Sequence, residues 1–326
     1  MEKLNLSKVC QDLISVLPDR QKEVILRRFG FGEFKERQTL EEIGQKFQIT
    51  RERVRQIQED AFSRMEEKRK KYKDLYKFFE RYFLKFGGLK REKILFEDLG
   101  EKKWEKEIYF LLSLDKKFER YPEKKEYFAF WALKGDFVER AKKNIELLCQ
   151  KLREIKKPVS FKEINFLSLP KPYLISLLEI TKLIQKNEDG LYGLKEWPEI
   201  SPRGVKDKAY LALKKVKKPL HFTEIAKLIE GAHLQTVHNE LIKDERFVLV
   251  GRGIYALREW GYEPGFVKDL IIKILKEKGP LEKDKILKED IKQRMVKENT
   301  VLLNLSNRKY FERDSQGKYR LKPGLI

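Results

Sequence analysis

Four polar side chains, Arg51, Glu52, Arg55 and Gln56, cluster at the start of a segment in which Val54, Ile57, Ala61 and Met65 recur at helical spacing. That spacing turns the apolar residues inward and leaves the four polar ones at the exposed amino-terminal end of a helix running from Arg51 to about Lys70. Arg pairs bidentately with guanine, Gln with adenine, and a carboxylate accepts from the cytosine amino group. The inventory suits base reading in a DNA major groove, catalysing nothing. A solvated helix face held by internal ion pairs explains the same charges equally well.

The elements that would position this helix are legible upstream. Leu6, Val9, Leu13, Ile14 and Leu17 mark an amphipathic helix ending before Pro18, and Val24, Ile25, Leu26 and Phe29 a second, followed by the turn Gly30-Phe31-Gly32. Thr39-Leu40-Glu41-Glu42 has the form of a capping box, opening a short third helix that buries Leu40, Ile43 and Phe47. Thr50 then caps the fourth helix, so the third and fourth form a helix-turn-helix.

Leu17-Pro18-Asp19-Arg20-Gln21, Leu26-Arg27-Arg28-Phe29-Gly30, Thr39-Leu40-Glu41-Glu42-Ile43-Gly44 and Thr50-Arg51-Glu52-Arg53-Val54-Arg55-Gln56-Ile57 resemble, block by block, region 4 of sigma-70 class factors. The resemblance implies that the fourth helix enters the major groove of a promoter −35 element with Arg51, Glu52, Arg55 and Gln56 toward the bases. Arg28, Thr39, Leu40 and Arg53 are then the backbone contacts. It also implies that the first two helices dock on the flap of the RNA polymerase beta subunit. Nothing resembles the aromatic-rich region that melts the −10 element, which argues against an autonomous sigma factor.

The remainder of the chain repeats itself. Pro219-Leu220-His221-Phe222-Thr223-Glu224-Ile225 has counterparts 61 residues earlier, from Pro158 to Ile164, and 61 later, from Pro280 to Ile286. A worn copy runs from Gly87 to Leu95. Each unit closes on an apolar-aromatic phrase: Ala129 to Leu133, Gly190 to Leu194, Gly253 to Leu257 and Gly317 to Leu321. In the best copy three helical stretches precede two β-rich runs around Gly251-Arg252-Gly253, which describes a winged helix. Residues 203–265 also resemble the HARE-HTH family, found in the delta subunit of bacterial RNA polymerase, through Pro219 to Phe222, Thr236-Val237 and Gly251 to Leu257.

The expected architecture is mainly α: a four-helix sigma region 4-like helix-turn-helix over residues 1–71, then tandem winged-helix units over 72–135, 136–202, 203–265 and 266–326, with linkers at 197–202 and 262–265. The third helices of the repeats differ. One offers Gln235, His238, Asn239 and Lys243 as a second reading surface, another Ser176, Glu179 and Lys182, the last Thr300 and Asn304. DNA contact and protein contact are equally open for these units, because fold does not fix function.

The charge balance bounds the partners. Lys and Arg number 73 against 52 Asp and Glu, a net charge of +21 that favours polyanions. Cys10 and Cys149 stand far apart with no CxxC spacing, and the three histidines lack supporting ligands, so no metal or cofactor site is expected and a reducing cytoplasm fits. There is no phosphate-cradling Gly-Lys-Ser/Thr, no Gly-x-Ser-x-Gly, and no apolar run of membrane-spanning length. The expectation is a non-enzymatic, cytoplasmic, nucleoid-associated transcription regulator or sigma-like accessory factor, whose partners are double-stranded promoter DNA and RNA polymerase rather than a membrane or a small-molecule substrate. The rivals are a delta-like adaptor that binds polymerase without reading sequence, and an RNA-binding or nucleoid-coating protein.

Overall fold

The computed structural model describes residues 5–100, 103–262, 265–293 and 298–323, so two positions of the 262–265 linker lie outside the described residues. The fold is mainly helical with small antiparallel sheets, as helix-turn-helix and winged-helix units require. Two compact bodies are formed, residues 1–195 and 196–326.

The first body begins with α1 (Leu6–Ile14), α2 (Asp19–Phe29), α3 (Leu40–Phe47) and α4 (Arg51–Arg69). Their ends are set by local chemistry. Pro18 precedes α2, and Gly30 ends it in a left-handed conformation with φ 70°. At α3, Thr39 Oγ1 accepts from the Glu42 amide at 3.2 Å while the Glu42 carboxylate accepts from the Thr39 amide at 2.6 Å. After a short turn of 3₁₀ helix come α5 (Lys73–Lys85), β1 (Leu89–Arg91), α6 (Glu92–Gly100), α7 (Glu105–Leu114), β2 (Phe118–Tyr121) and β3 (Phe130–Leu133). The strands make an antiparallel sheet in the order β1-β3-β2.

These two segments share one hydrophobic core. Leu6, Val9, Leu13, Ile25 and Phe29 of α1 and α2, and Ala61 and Met65 of α4, are buried together with Phe79, Phe83, Phe110, Leu111 and Trp131. The Phe29 ring meets Phe110 edge-on at 5.0 Å, and Phe31 meets it at 5.5 Å. The apolar side of α1 and α2 is therefore covered from within the chain. A smaller core of Val24, Ile43, Val54 and Ile57 holds the tip of the helix-turn-helix.

The body continues with α8 (Phe137–Ile155), α9 (Lys171–Ile180), β4 (Ile184–Lys186) and β5 (Tyr192–Leu194). Helix α9 lies against the preceding sheet: Ser176 Oγ donates to the Leu89 carbonyl at 2.9 Å, and buried Lys90 reaches Glu179 at 2.9 Å. The Phe128 amide donates to the Ile180 carbonyl at 2.8 Å. Gly87 and Gly88, both with positive φ, lie beneath Tyr173 and Phe137, where an added Cβ would fall 2.1 and 2.2 Å from the rings.

The second body contains α10 (Gly204–Val216), β6 (Leu220–His221), α11 (Phe222–Lys227), α12 (Leu234–Lys243), β7 (Phe247–Gly251) and β8 (Ile254–Leu257), with the sheet order β6-β8-β7. Then follow α13 (Val267–Lys278), α14 (Lys283–Gln293), α15 (Glu298–Leu305), β9 (Phe311–Arg313) and β10 (Tyr319–Leu321). The two phrases that recur along the sequence are hydrogen-bonded to each other in every copy: Leu89 pairs with Ala132, Val159 with Tyr192, Leu220 with Tyr255, and Leu281 with Tyr319. They recur together because each closes the sheet of its own unit.

Candidate nucleic-acid interface

Helix α4 is aimed by its inner face. Val54 and Ile57 insert into the tip core, and Thr50 Oγ1 accepts from the Arg53 amide at 3.2 Å, fixing where the first turn begins. Gly44 permits the tight approach of the connecting turn to α3, since a Cβ there would sit 2.7 Å from the Ile49 carbonyl oxygen. Gln48 takes the left-handed position of that turn, with φ 55°.

Arg51, Glu52, Arg55 and Gln56 are consequently all exposed on the first two turns. The structure brings them together and shows them partly engaged with one another. Arg55 donates to Glu52 at 2.6 to 3.1 Å and also pairs with Glu59, while Arg53 donates to the Gln56 side-chain oxygen at 3.0 Å. The hydrogen bond from Arg55 holds the Glu52 carboxyl below its usual range, and Glu52 and then Glu59 raise the Arg55 guanidinium. Such solvent-screened pairs are weak. They run along the helix and leave Arg51, Glu52, Arg55 and Gln56 exposed. The internal ion pairs suggested by the charge pattern are present, and the four side chains proposed to meet bases are exposed.

The backbone-contact candidates fall into two places. Arg28, Thr39 and Leu40 line one cleft together with Glu41 and Arg51, whereas Arg53 is exposed on α4. Arg28 is half-buried and donates to the Gln38 carbonyl at 2.7 Å. Desolvation, and after it the neighbouring Arg37 and Arg120, pull its guanidinium below the ordinary value. Arg28 and Arg51 thus lie with Glu41 beside the capped amino-terminal end of α3.

The second candidate helix, α12, is less open. Gln235 and Asn239 are exposed and joined at 3.1 Å, and Lys243 is exposed at the helix end, but His238 is half-buried with its ring 4.5 Å from that of Phe222. Exposed Leu234 and Ile242 share this helix, and Leu228 and Leu249 are exposed in the same unit. On α9, Ser176 and Glu179 are committed to β1, and Lys182, two residues past the end of that helix, pairs with Glu123. On α15, Asn304 donates to the Thr300 carbonyl.

Sequence reasoning missed the junction behind α3. Lys106 Nζ donates to the carbonyls of Gly30 at 2.8 Å and Lys35 at 2.7 Å, and the Arg37 guanidinium lies 4.2 Å over the Tyr109 ring. Basic residues just ahead of the Thr39 cap were the available signal. Among the described residues no three of His, Cys, Asp or Glu are placed to hold a metal ion, and no helix is long and apolar enough to cross a membrane. Both cysteines are buried, and burial pushes the Cys10 thiol well above its ordinary value.

Residues 13–67, from the last residues of α1 almost to the end of α4, match the family model for Sigma-70, region 4. No solved structure matches the chain. The match covers the helix-turn-helix with all eight residues of its candidate interface, and supports a DNA-binding, transcription-related role for this part of the chain.

Proposed function

We propose that this protein is a DNA-binding transcription regulator or sigma-like accessory factor of initiation. It reads a −35-like promoter element with α4, Arg51, Glu52, Arg55 and Gln56 meeting base edges while Arg28, Thr39, Leu40 and Arg53 hold the phosphate backbone. The observation that carries the reading is an exposed, capped polar helix end whose inner face is pinned, within a segment matching sigma-70 region 4. On this reading the protein works on the nucleoid, in the cytoplasm. Because α1 and α2 are covered by residues of the 72–135 segment, contact with RNA polymerase through a flap-type dock on those helices would first have to open the shared core. Polymerase contact therefore belongs to other surfaces.

Exposed Leu228, Leu234, Ile242 and Leu249 favour a second reading for residues 203–265, that of a HARE-HTH-like unit contacting polymerase or another protein as an adaptor. The two readings separate in one experiment. Binding of the full chain to duplexes carrying −35-like elements is measured by anisotropy and footprinting, with and without core polymerase. Arg51→Ala and Gln56→Ala should each erase preference at one base pair, a change of roughly 5- to 150-fold for the roughly 1–3 kcal/mol a bidentate pair discriminates. Unchanged preference in both variants refutes base reading by α4, and polymerase capture without a sequence-specific footprint favours the adaptor.

A further inference from the structure

Three neighbouring clefts run from the reading helix onto the next unit. The first is lined by Arg28, Thr39, Leu40, Glu41 and Arg51; the second includes Arg27, Lys35, Arg37, Gln38, Glu42 and Lys46; the third is lined by Lys35, Glu36, Arg37, Lys103, Glu105 and Lys106. The hydrogen bond from Arg28 to the Gln38 carbonyl joins the first to the second, and Lys35, Glu36 and Arg37 are common to the second and third. Lys35, Arg37 and Lys103 are exposed; Glu36 and Glu105 line the same cleft, and of the three only Arg37 is in an ion pair, with Glu105 at 3.6 Å, among the described residues. Lys106 is spent on the two loop carbonyls, so it braces the loop rather than offering charge.

We propose that the unit following the helix-turn-helix joins the DNA interface, its Lys103 acting with Lys35 and Arg37 of the loop ahead of α3 to receive the phosphates of the duplex that flanks the element read by α4. The inference rests on the α4 reading and extends its footprint beyond residues 13–67. Rigidity supports it. The core joining Phe29 to Phe110, the Lys106 brace and the Arg37–Tyr109 stack fix Lys103 relative to α3 and α4 before any ligand arrives. Like charges gathered beside Arg28 are relieved by an anion, and a duplex supplies a row of them at a spacing a rigid track can follow.

The test uses the full chain and an element selected with it from a random duplex pool, in three forms: trimmed to the element, and extended by about 10 base pairs, one helical turn, on either side. Extension on one side should tighten wild-type binding, Lys103→Ala alone should reduce that gain, and Lys35→Ala/Lys103→Ala should leave only the share due to Arg37, each keeping the preference for the element. Two lost phosphate contacts lower the slope of log affinity against log salt by about 1.8, so between about 50 and 200 mM salt the wild type should lose roughly 12-fold more affinity than the variant. Both side chains are exposed, and matched melting curves exclude misfolding. A variant that keeps the wild-type slope and length dependence overturns the proposal. If wild type shows no sequence preference, base reading by α4 fails by itself, and the slope comparison on random duplex still decides whether these lysines meet phosphate.

Discussion

Truncating Phe110 to Ala should weaken the helix-turn-helix module although the residue lies outside it. Phe110 is fully buried on α7, with its ring edge-on to Phe29 at 5.0 Å and to Phe31 at 5.5 Å. Removing a buried phenylalanine costs about 3–5 kcal/mol, and losing two aromatic contacts places this site toward the upper end. A module of this size holds about 5–15 kcal/mol in total, so much of its stability goes. The tip core of Val24, Ile43, Val54 and Ile57 is too small to replace it, since four aliphatic side chains do not repay the ordering of the whole helix pair. Native-state hydrogen exchange on the full chain reads the effect. Amides of Ile57, Ala61 and Met65 in α4 should exchange faster by a hundred to a few thousand fold, roughly tenfold per 1.4 kcal/mol, in step with Leu111 and Leu112 of α7. If α7 loses protection while α4 keeps its own, the two segments are separate folding units and the shared-core argument is wrong.

Two further perturbations test other contacts. Gly44→Ala would raise helix propensity in a free helix by about 1 kcal/mol, yet here the new methyl meets the Ile49 carbonyl at 2.7 Å, so overpacking of about 1–3 kcal/mol should win and displace α4. A lower melting temperature with weakened DNA binding is expected, and an unchanged or higher one refutes the close-approach reading. In the second body, the Asp244 carboxyl is held below its ordinary 3.8, first by its hydrogen bond from Arg246. A depressed carboxylate contributes stability that is fully present above the unfolded value and is lost as pH falls through the folded one. Protection of the Leu213 and Leu241 amides should therefore be level above about pH 5 and decline below about pH 4, with Asp244→Asn lower at neutral pH and flatter in acid. A variant with the wild-type acid slope would assign that decline to other groups.

The reading helix was legible because its determinants are local. Thr39 and Glu42 cap α3, Thr50 caps α4, and Val54, Ile57, Ala61 and Met65 keep one period, so which side chains stay exposed follows from a stretch of about thirty residues. The recurring phrases were legible as repeats for a similar reason, each pair being bonded within its own unit. Partners across units were not. Apolar periodicity in α1 and α2 marks a buried face without saying what buries it, and the basic residues ahead of Thr39 mark a charged loop without naming Tyr109 or Lys106 as what engages it. Lys90, buried against Glu179, sits in the worn copy of the repeat phrase and reads locally as one more exposed lysine.

One helical position shows why the repeats resisted a functional reading. Eight residues before the first hairpin strand of each unit stand Phe110, Ser176, Asn239 and Leu303, all on the helix that precedes that strand, which is the third of its unit except in residues 136–202, where α8 and α9 are the two described helices. The first two are buried, Phe110 against Phe29 and Ser176 against the Leu89 carbonyl, whereas Asn239 and Leu303 are exposed. The face that a winged helix offers to a major groove is thus occupied by a neighbouring segment at these positions of α7 and α9, and open in α12 and α15. An aromatic ring suits a dry interface, and a serine suits one with a carbonyl to satisfy. Neither carries a charge to give to phosphate. At this position, then, neither α7 nor α9 offers an exposed polar group, whereas α12 exposes Asn239 and α4 exposes four polar side chains within its first two turns.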